Sequence, residues 1–133
     1  NPVIELPQIK SVAEIVQNQV KASEAIINYI YRIISATRDP WKYGVLKKTE
    51  DEDGNDWLKA GASTRGGMML LRTAKTVACL RGSDTVMPRD IQEVMNEVLA
   101  HRIFVQASAE MRRSKGVRDL LLAIKDKISD CDK

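Results

Sequence analysis

The chain of 133 residues reads as an all-α protein, a small helical bundle of about five helices with an irregular loop or hairpin insertion around residues 41–60. Three observations predict this class. Chain-breakers are scarce, with 7 Gly and 4 Pro, which disfavours a turn-rich β sandwich. Apolar residues recur at one-face helical spacing in five separate stretches. Hydrophobic residues make up 44% and charged residues 29%, the balance of a folded globular domain. The length suits one domain, and a chain of this size buries roughly two-thirds of its unfolded surface.

The residues 1–10 carry Pro2 and Pro7 and are expected to be an extended lead-in linker. Ser11-Val12-Ala13-Glu14 has the form of a capping box, so a short first helix is expected there, with Val12, Ile15 and Val16 on its apolar side. Val20-Lys21-Ala22 reads as a brief extended step. Ser23 caps a second helix whose Ile26, Ile27, Ile30, Ile33 and Ile34 share one face, and Asp39-Pro40 ends it. From Trp41 the helical pattern breaks into a polar, acidic stretch flanked by Trp41, Tyr43 and Trp57, which predicts an exposed loop or hairpin anchored by aromatics.

A third helix follows Gly61-Ala62-Ser63 and presents Met68, Leu71, Ala74, Lys75 and Ala78 before Gly82 stops it. Thr85-Val86-Met87 is a second extended step. Pro88 suits the first position of a fourth helix, with Ile91, Val94, Met95, Val98 and Leu99 inward. A basic connector with Arg112, Arg113 and Lys115 leads to a last helix built on Val117, Leu120, Leu121, Ile124 and Ile128. The expected organisation is a helical domain over 11–105, with 106–133 forming a connector and a helix packed on it. The methionines Met68, Met69, Met87 and Met95 fall at helical positions and are expected to fill core.

Several function classes fall away. No apolar run reaches the ~18 residues of a membrane span, and no secretory signal opens the chain. Asn1 in place of an initiator Met predicts a piece of something longer. Cys79 and Cys131 with a single His101 do not make a zinc set at these separations, and they read as incidental thiols of a cytoplasmic chain. The acidic stretch lacks the spacing of a calcium loop, since Gly54 falls inside the set Asp51, Asp53, Asn55 and position twelve is Ala62. His101, without a positioned partner, is a structural or surface residue. A net charge of +3 is too small to define a nucleic-acid binder, although Arg112, Arg113, Lys115 and Arg118 leave open a free-standing helical module for nucleic acid or protein.

One motif requires a decision. Gly61-Ala62-Ser63-Thr64-Arg65-Gly66 matches the first six positions of a phosphate-binding P-loop, but Gly67 and Met68 stand where that motif needs Lys and Ser or Thr. Without them neither outer phosphates nor magnesium can be held in that manner. The segment still sets backbone donors, Ser63 and Arg65 at a helix start. There an arginine works against the helix dipole, at a cost of a few tenths to ~1 kcal/mol. A forked donor at an unfavourable position hints at an anionic partner.

The order of these motifs resembles the lid of MoxR-type AAA+ ATPases, in the magnesium-chelatase-like branch. Ala36-Thr37-Arg38, closing the segment Ile30 to Arg38, resembles the end of the family's second lid helix. Gly61-Ala62-Ser63-Thr64-Arg65 resembles the Gly-Ala-Ser-Pro-Arg sensor-II motif, and Leu70-Leu71-Arg72-Thr73-Ala74-Lys75 with Leu80-Arg81-Gly82-Ser83-Asp84 its helix and exit. Val86-Met87-Pro88-Arg89-Asp90-Ile91 and Leu99-Ala100-His101-Arg102-Ile103 are similar to the start and end of the next helix. The departures are Thr64 for Pro, Gly66-Gly67 for small helix formers, Met87 for a Thr cap, and a longer 41–60 loop. The two glycines predict a looser helix start.

The resemblance implies a C-terminal lid that follows an α/β ATPase domain holding ATP and Mg. It implies Arg65 as the catalytic sensor-II residue and Ser63 with Arg65 as nucleotide-binding residues, acting within one subunit or across to its neighbour. It further implies a homo-oligomeric, hexameric ring with chaperone-like work on a protein client. Nucleic acid is not an expected partner, and the chain by itself, lacking a P-loop, is not expected to hydrolyse ATP.

Overall fold

A computed structural model describes residues 3–45, 58–105 and 116–128 of the chain. Five α-helices, a short 3₁₀ turn and a two-stranded sheet make up the described part, in the order α1 (Leu6–Gln19), α2 (Glu24–Arg38), β1 (Leu58–Ala60), α3 (Thr64–Leu80), α4 (Pro88–Leu99), the 3₁₀ turn Ala100–Arg102, β2 (Phe104–Val105) and α5 (Val117–Lys127). Helix α3 is the hub, packing on α4, α2 and α1, while α5 closes the bundle against α2 and α4.

Helix α1 starts at Leu6, inside the expected lead-in and ahead of Ser11. Gln8 Oε1 accepts from the Glu5 backbone N–H at 2.7 Å, and Pro7 sits in the first turn, where its missing N–H costs nothing. The Ser11 hydroxyl is used inside the helix, on the Pro7 carbonyl at 3.3 Å, and caps nothing. Only Val16 of this helix is buried; Val12 and Ile15 are exposed. Lys75 Nζ on the Gln17 carbonyl (2.7 Å) and Gln17 Nε2 on the Arg72 carbonyl (3.1 Å) tie α1 to α3.

Helix α2 follows the sequence reading closely. Ser23 Oγ accepts from the Ile26 N–H at 3.3 Å, and Ile26, Ile30, Ile33 and Ile34 are buried with Tyr29, whereas Ile27 lies outside the stripe. After Asp39, the Lys42 N–H donates to Asp39 Oδ1 and the Val45 N–H to the Pro40 carbonyl, so the chain turns with Trp41 and Tyr43 packed against the core. Residues 46–57 of the insertion and the basic connector 106–115, with Arg112, Arg113 and Lys115, lie outside the described residues.

Two extended steps meet across the fold. The Lys21 N–H donates to the Asp84 carbonyl at 2.7 Å and the Val86 N–H to the Lys21 carbonyl at 2.9 Å, a parallel bridge that buries Val20 and Val86. The end of the expected irregular stretch is a strand instead. β1 pairs antiparallel with β2, Leu58 opposite Val105 and Ala60 opposite Phe104, beyond the turn that ends α4. Strands of two and three residues carry too little period-2 pattern to be read from sequence.

The apolar face of α3 is rotated from the expected one. Gly66, Gly67, Leu70, Ala74 and Ala78 are buried, Leu71 is half-buried and Met68 is 66% exposed. Met69 and Met87 also reach solvent, and of the four methionines expected in the core only Met95 is there. Small residues on the inner face let α3 lie close to its neighbours, and the bulkier residues therefore sit outside. Gly82, at φ +79°, ends α3 as expected.

Candidate functional site at the start of the third helix

The site is built where the last turn of α2 meets the first turn of α3. Thr37 is fully buried, and its hydroxyl does two things. It donates to the Ile34 carbonyl at 2.7 Å and accepts the Ala62 N–H at 2.9 Å. The next residue, Arg38, donates from Nε to the Ala62 carbonyl at 2.8 Å. Both polar groups of the buried Ala62 are thus held by consecutive side chains of α2, which satisfies groups that would otherwise be buried without partners. The fit is tight enough to dictate Gly61. A Cβ at that position would stand 2.3 Å from the Thr37 carbonyl oxygen.

Ser63 then adopts an extended backbone (φ −81°, ψ 170°) and α3 begins at Thr64. Ser63 is the N-cap by position, but its hydroxyl makes no capping hydrogen bond and, among the described residues, its side chain is exposed and open to an incoming group. Arg65 is the second helical residue. It is exposed and forms no hydrogen bond or ion pair among the described residues. A guanidinium without a partner among the described residues, beside the first-turn N–H groups of a helix, is an arrangement that suits phosphate oxygens.

The two glycines of this start differ in the room around them. A Cβ on Gly67 would lie 3.2 Å from Ile34 Cγ1, and one on Gly66 would lie 3.4 Å from Leu99 Cδ2 and from Arg102 Cδ. Gly67 thus lets α3 pack closely on Ile34 of α2, whereas Gly66 faces the end of α4 with room for a methyl group. Arg102 donates from Nε to the Val98 carbonyl at 3.1 Å, and His101 is exposed. Beside Thr64, an apolar groove of about 200 Å³ runs between α2 and α3, lined by Ile27, Tyr31, Met68 and Leu71.

The far end of α3 is fixed by a second polar device. Arg81, just past the helix, makes a two-pronged contact with Asp90 in the first turn of α4 (Nε to Oδ1 3.0 Å, Nη2 to Oδ2 2.8 Å), and Oδ2 also accepts the Met87 N–H at 2.7 Å. Burial pushes the Asp90 carboxyl up, but those hydrogen bonds and the Arg81 and Arg89 charges outweigh it and hold the group below the ordinary carboxylate value. Asp90, third in the helix, thereby satisfies the Met87 backbone N–H, the reciprocal half of a capping box, while Met87 offers no side-chain oxygen to the first turn.

Sequence reasoning located Ser63 and Arg65 and missed the use of Thr37 and Arg38. The only signal was their place in the Ala-Thr-Arg ending of α2. Among the described residues no group of three or more His, Cys, Asp or Glu side chains could hold a metal ion.

The AAA lid domain family matches residues 55–120, which include Ser63 and Arg65. The chain is 34% identical over 122 residues to the protein MoxR of Methylorubrum extorquens, covering 92% of this chain and 35% of that protein. It is also 34% identical over 85 residues to the chaperone MoxR1 of Mycobacterium tuberculosis, covering 64% of this chain and 21% of the relative. Among solved structures, a candidate ATPase from Cytophaga hutchinsonii superposes with a TM-score of 0.74 at 34% identity, over 86% of this chain and 32% of that one. The helical bundle with its Gly-Ala-Ser-x-Arg helix start is an AAA lid domain. The chain belongs, within that class, with the lids of MoxR-type AAA+ ATPases, and it spans about a third of the length of the MoxR protein and the solved structure it matches.

Proposed function

We propose that this chain is the C-terminal lid of a MoxR-like ATPase and that Arg65 is its sensor II, directed at the terminal phosphate of ATP. The observation that carries the reading is an exposed arginine, unpaired among the described residues, on the second residue of a helix whose start is rigidly held by α2. A cation there opposes the helix dipole, so its position favours an anion in working assemblies over stability in isolation. Ser63, whose hydroxyl makes no hydrogen bond among the described residues, adds a donor on the same edge. These residues fit the phosphate end of a nucleotide. Magnesium would be held by the preceding α/β ATPase domain together with the phosphates.

In this reading the arginine supports charge on the transferring phosphoryl group, and closure of the lid reports nucleotide state to the rest of the assembly. The partners are the α/β ATPase domain, neighbouring subunits of a homo-oligomeric, hexameric ring in the cytoplasm, and a protein client that the ring remodels or matures in chaperone-like fashion. Among the described residues no helix is long and apolar enough to cross a membrane. The test is Arg65→Ala in the ATPase that carries this lid. Turnover should fall about a hundredfold, the scale of losing one preorganised donor to a developing charge. Unchanged ATP turnover would overturn the assignment.

A further inference from the structure

We propose that Thr37 and Arg38 are positioning residues that set the place of Arg65 by clamping both polar groups of Ala62. The proposal rests on the sensor reading of Arg65.

The geometry has three independent parts. The Thr37 hydroxyl is fixed in direction because it donates to the Ile34 carbonyl (2.7 Å) while it accepts the Ala62 N–H (2.9 Å). Arg38 holds the same residue's carbonyl, in the next peptide group, from Nε (2.8 Å). Gly61 lies so close to the Thr37 carbonyl that no other residue fits there. Ala62 is therefore held in two directions and pressed in a third, and only two residues separate it from Arg65. Ser63 adds no side-chain cap to α3, so the clamp on Ala62 is the polar tie nearest the first turn among the described residues. A shift of about 1 Å at a charged group facing a reacting centre can cost up to about a hundredfold in rate, and the clamp restrains that movement.

The chemistry makes the clamp separable from simple packing. Thr37→Val keeps the volume and removes the hydroxyl; Thr37→Ser keeps the hydroxyl and loses a methyl. Arg38 is exposed, so Arg38→Met removes the donor without opening the core. In the ATPase that carries this lid, measured below its melting range, Thr37→Val and Arg38→Met should each lower kcat about tenfold to a hundredfold with KM for ATP little changed. Thr37→Ser should restore kcat. Placed on an Arg65→Ala background, neither substitution should lower kcat further, because both act through the arginine that is gone. A full additive loss on that background would overturn the positioning role, as would unchanged kcat in folded single variants. Should Thr37→Val fail to fold, Arg38→Met carries the same cycle. An Arg65→Ala enzyme with unaltered turnover overturns the sensor reading itself, and the positioning role falls with it, a result distinct from an inert clamp beside an active arginine.

Discussion

Three glycines within seven residues do different work, and substitution separates them. Gly61 has no room for a side chain, since a Cβ would meet the Thr37 carbonyl at 2.3 Å. Gly61→Ala should therefore lower stability by about 1–3 kcal/mol, the range of an overpacked site, read as a lower urea midpoint. Gly66 is helical, and its nearest neighbours would touch an added Cβ only at 3.4 Å. Gly66→Ala should raise the midpoint, by up to about 1 kcal/mol, because the helix gains where nothing clashes. The residue scale was legible only in part. Gly-Ala-Ser before a helical stripe located Arg65 at a helix start, but the bond from the Ala62 N–H to Thr37 joins positions 25 apart, and no spacing rule reveals such a pair.

At the scale of elements, the joint between α3 and α4 makes a pH prediction. The Asp90 carboxyl is held below its ordinary value in the folded protein. A group shifted down contributes stability that is fully present above the ordinary carboxylate range and is lost as pH falls from about 4 towards the folded-state value. Asp90→Asn should lower Tm at neutral pH, and the gap from wild type should close as pH drops below about 4. Asparagine can still accept the Met87 N–H, so the comparison isolates the charge and its pairing with Arg81. The elements themselves were legible where a single face carried the signal. Four isoleucines bury one side of α2, and its cap and stop were both plain. The start of α1 was not, because two capping boxes compete and the one at Glu5 and Gln8 wins. The face of α3 was misread because glycine and alanine, which line its buried side, carry little hydrophobic signal.

For the whole molecule, one continuous core joins all five helices, with Leu70 of α3, Ile91 and Leu99 of α4, Tyr29 of α2 and Ile124 of α5 each fully buried. Leu70→Ala should cost about 2–5 kcal/mol, a sizeable share of the about 5–15 kcal/mol that holds a domain together, and should show as a cooperative loss in a single thermal transition. With a net charge of only +3, this chain should bind no DNA detectably even at low salt; a steep salt dependence of binding would favour the nucleic-acid module. The chain alone should release no phosphate from ATP in a colorimetric phosphate assay, because Gly67 and Met68 stand where a P-loop needs Lys and Ser or Thr.

Helix α3 is held at both ends, by Ala62 against α2 and by Arg81 against Asp90. It therefore moves with the bundle as one rod. Its 17 residues span ~25 Å at the usual rise. When the whole bundle turns by about 7° about a point near Asp90, the start of that rod travels about 3 Å, the length of one hydrogen bond. In the sensor role proposed for Arg65, a few degrees of rotation would put its guanidinium on a phosphate or take it off.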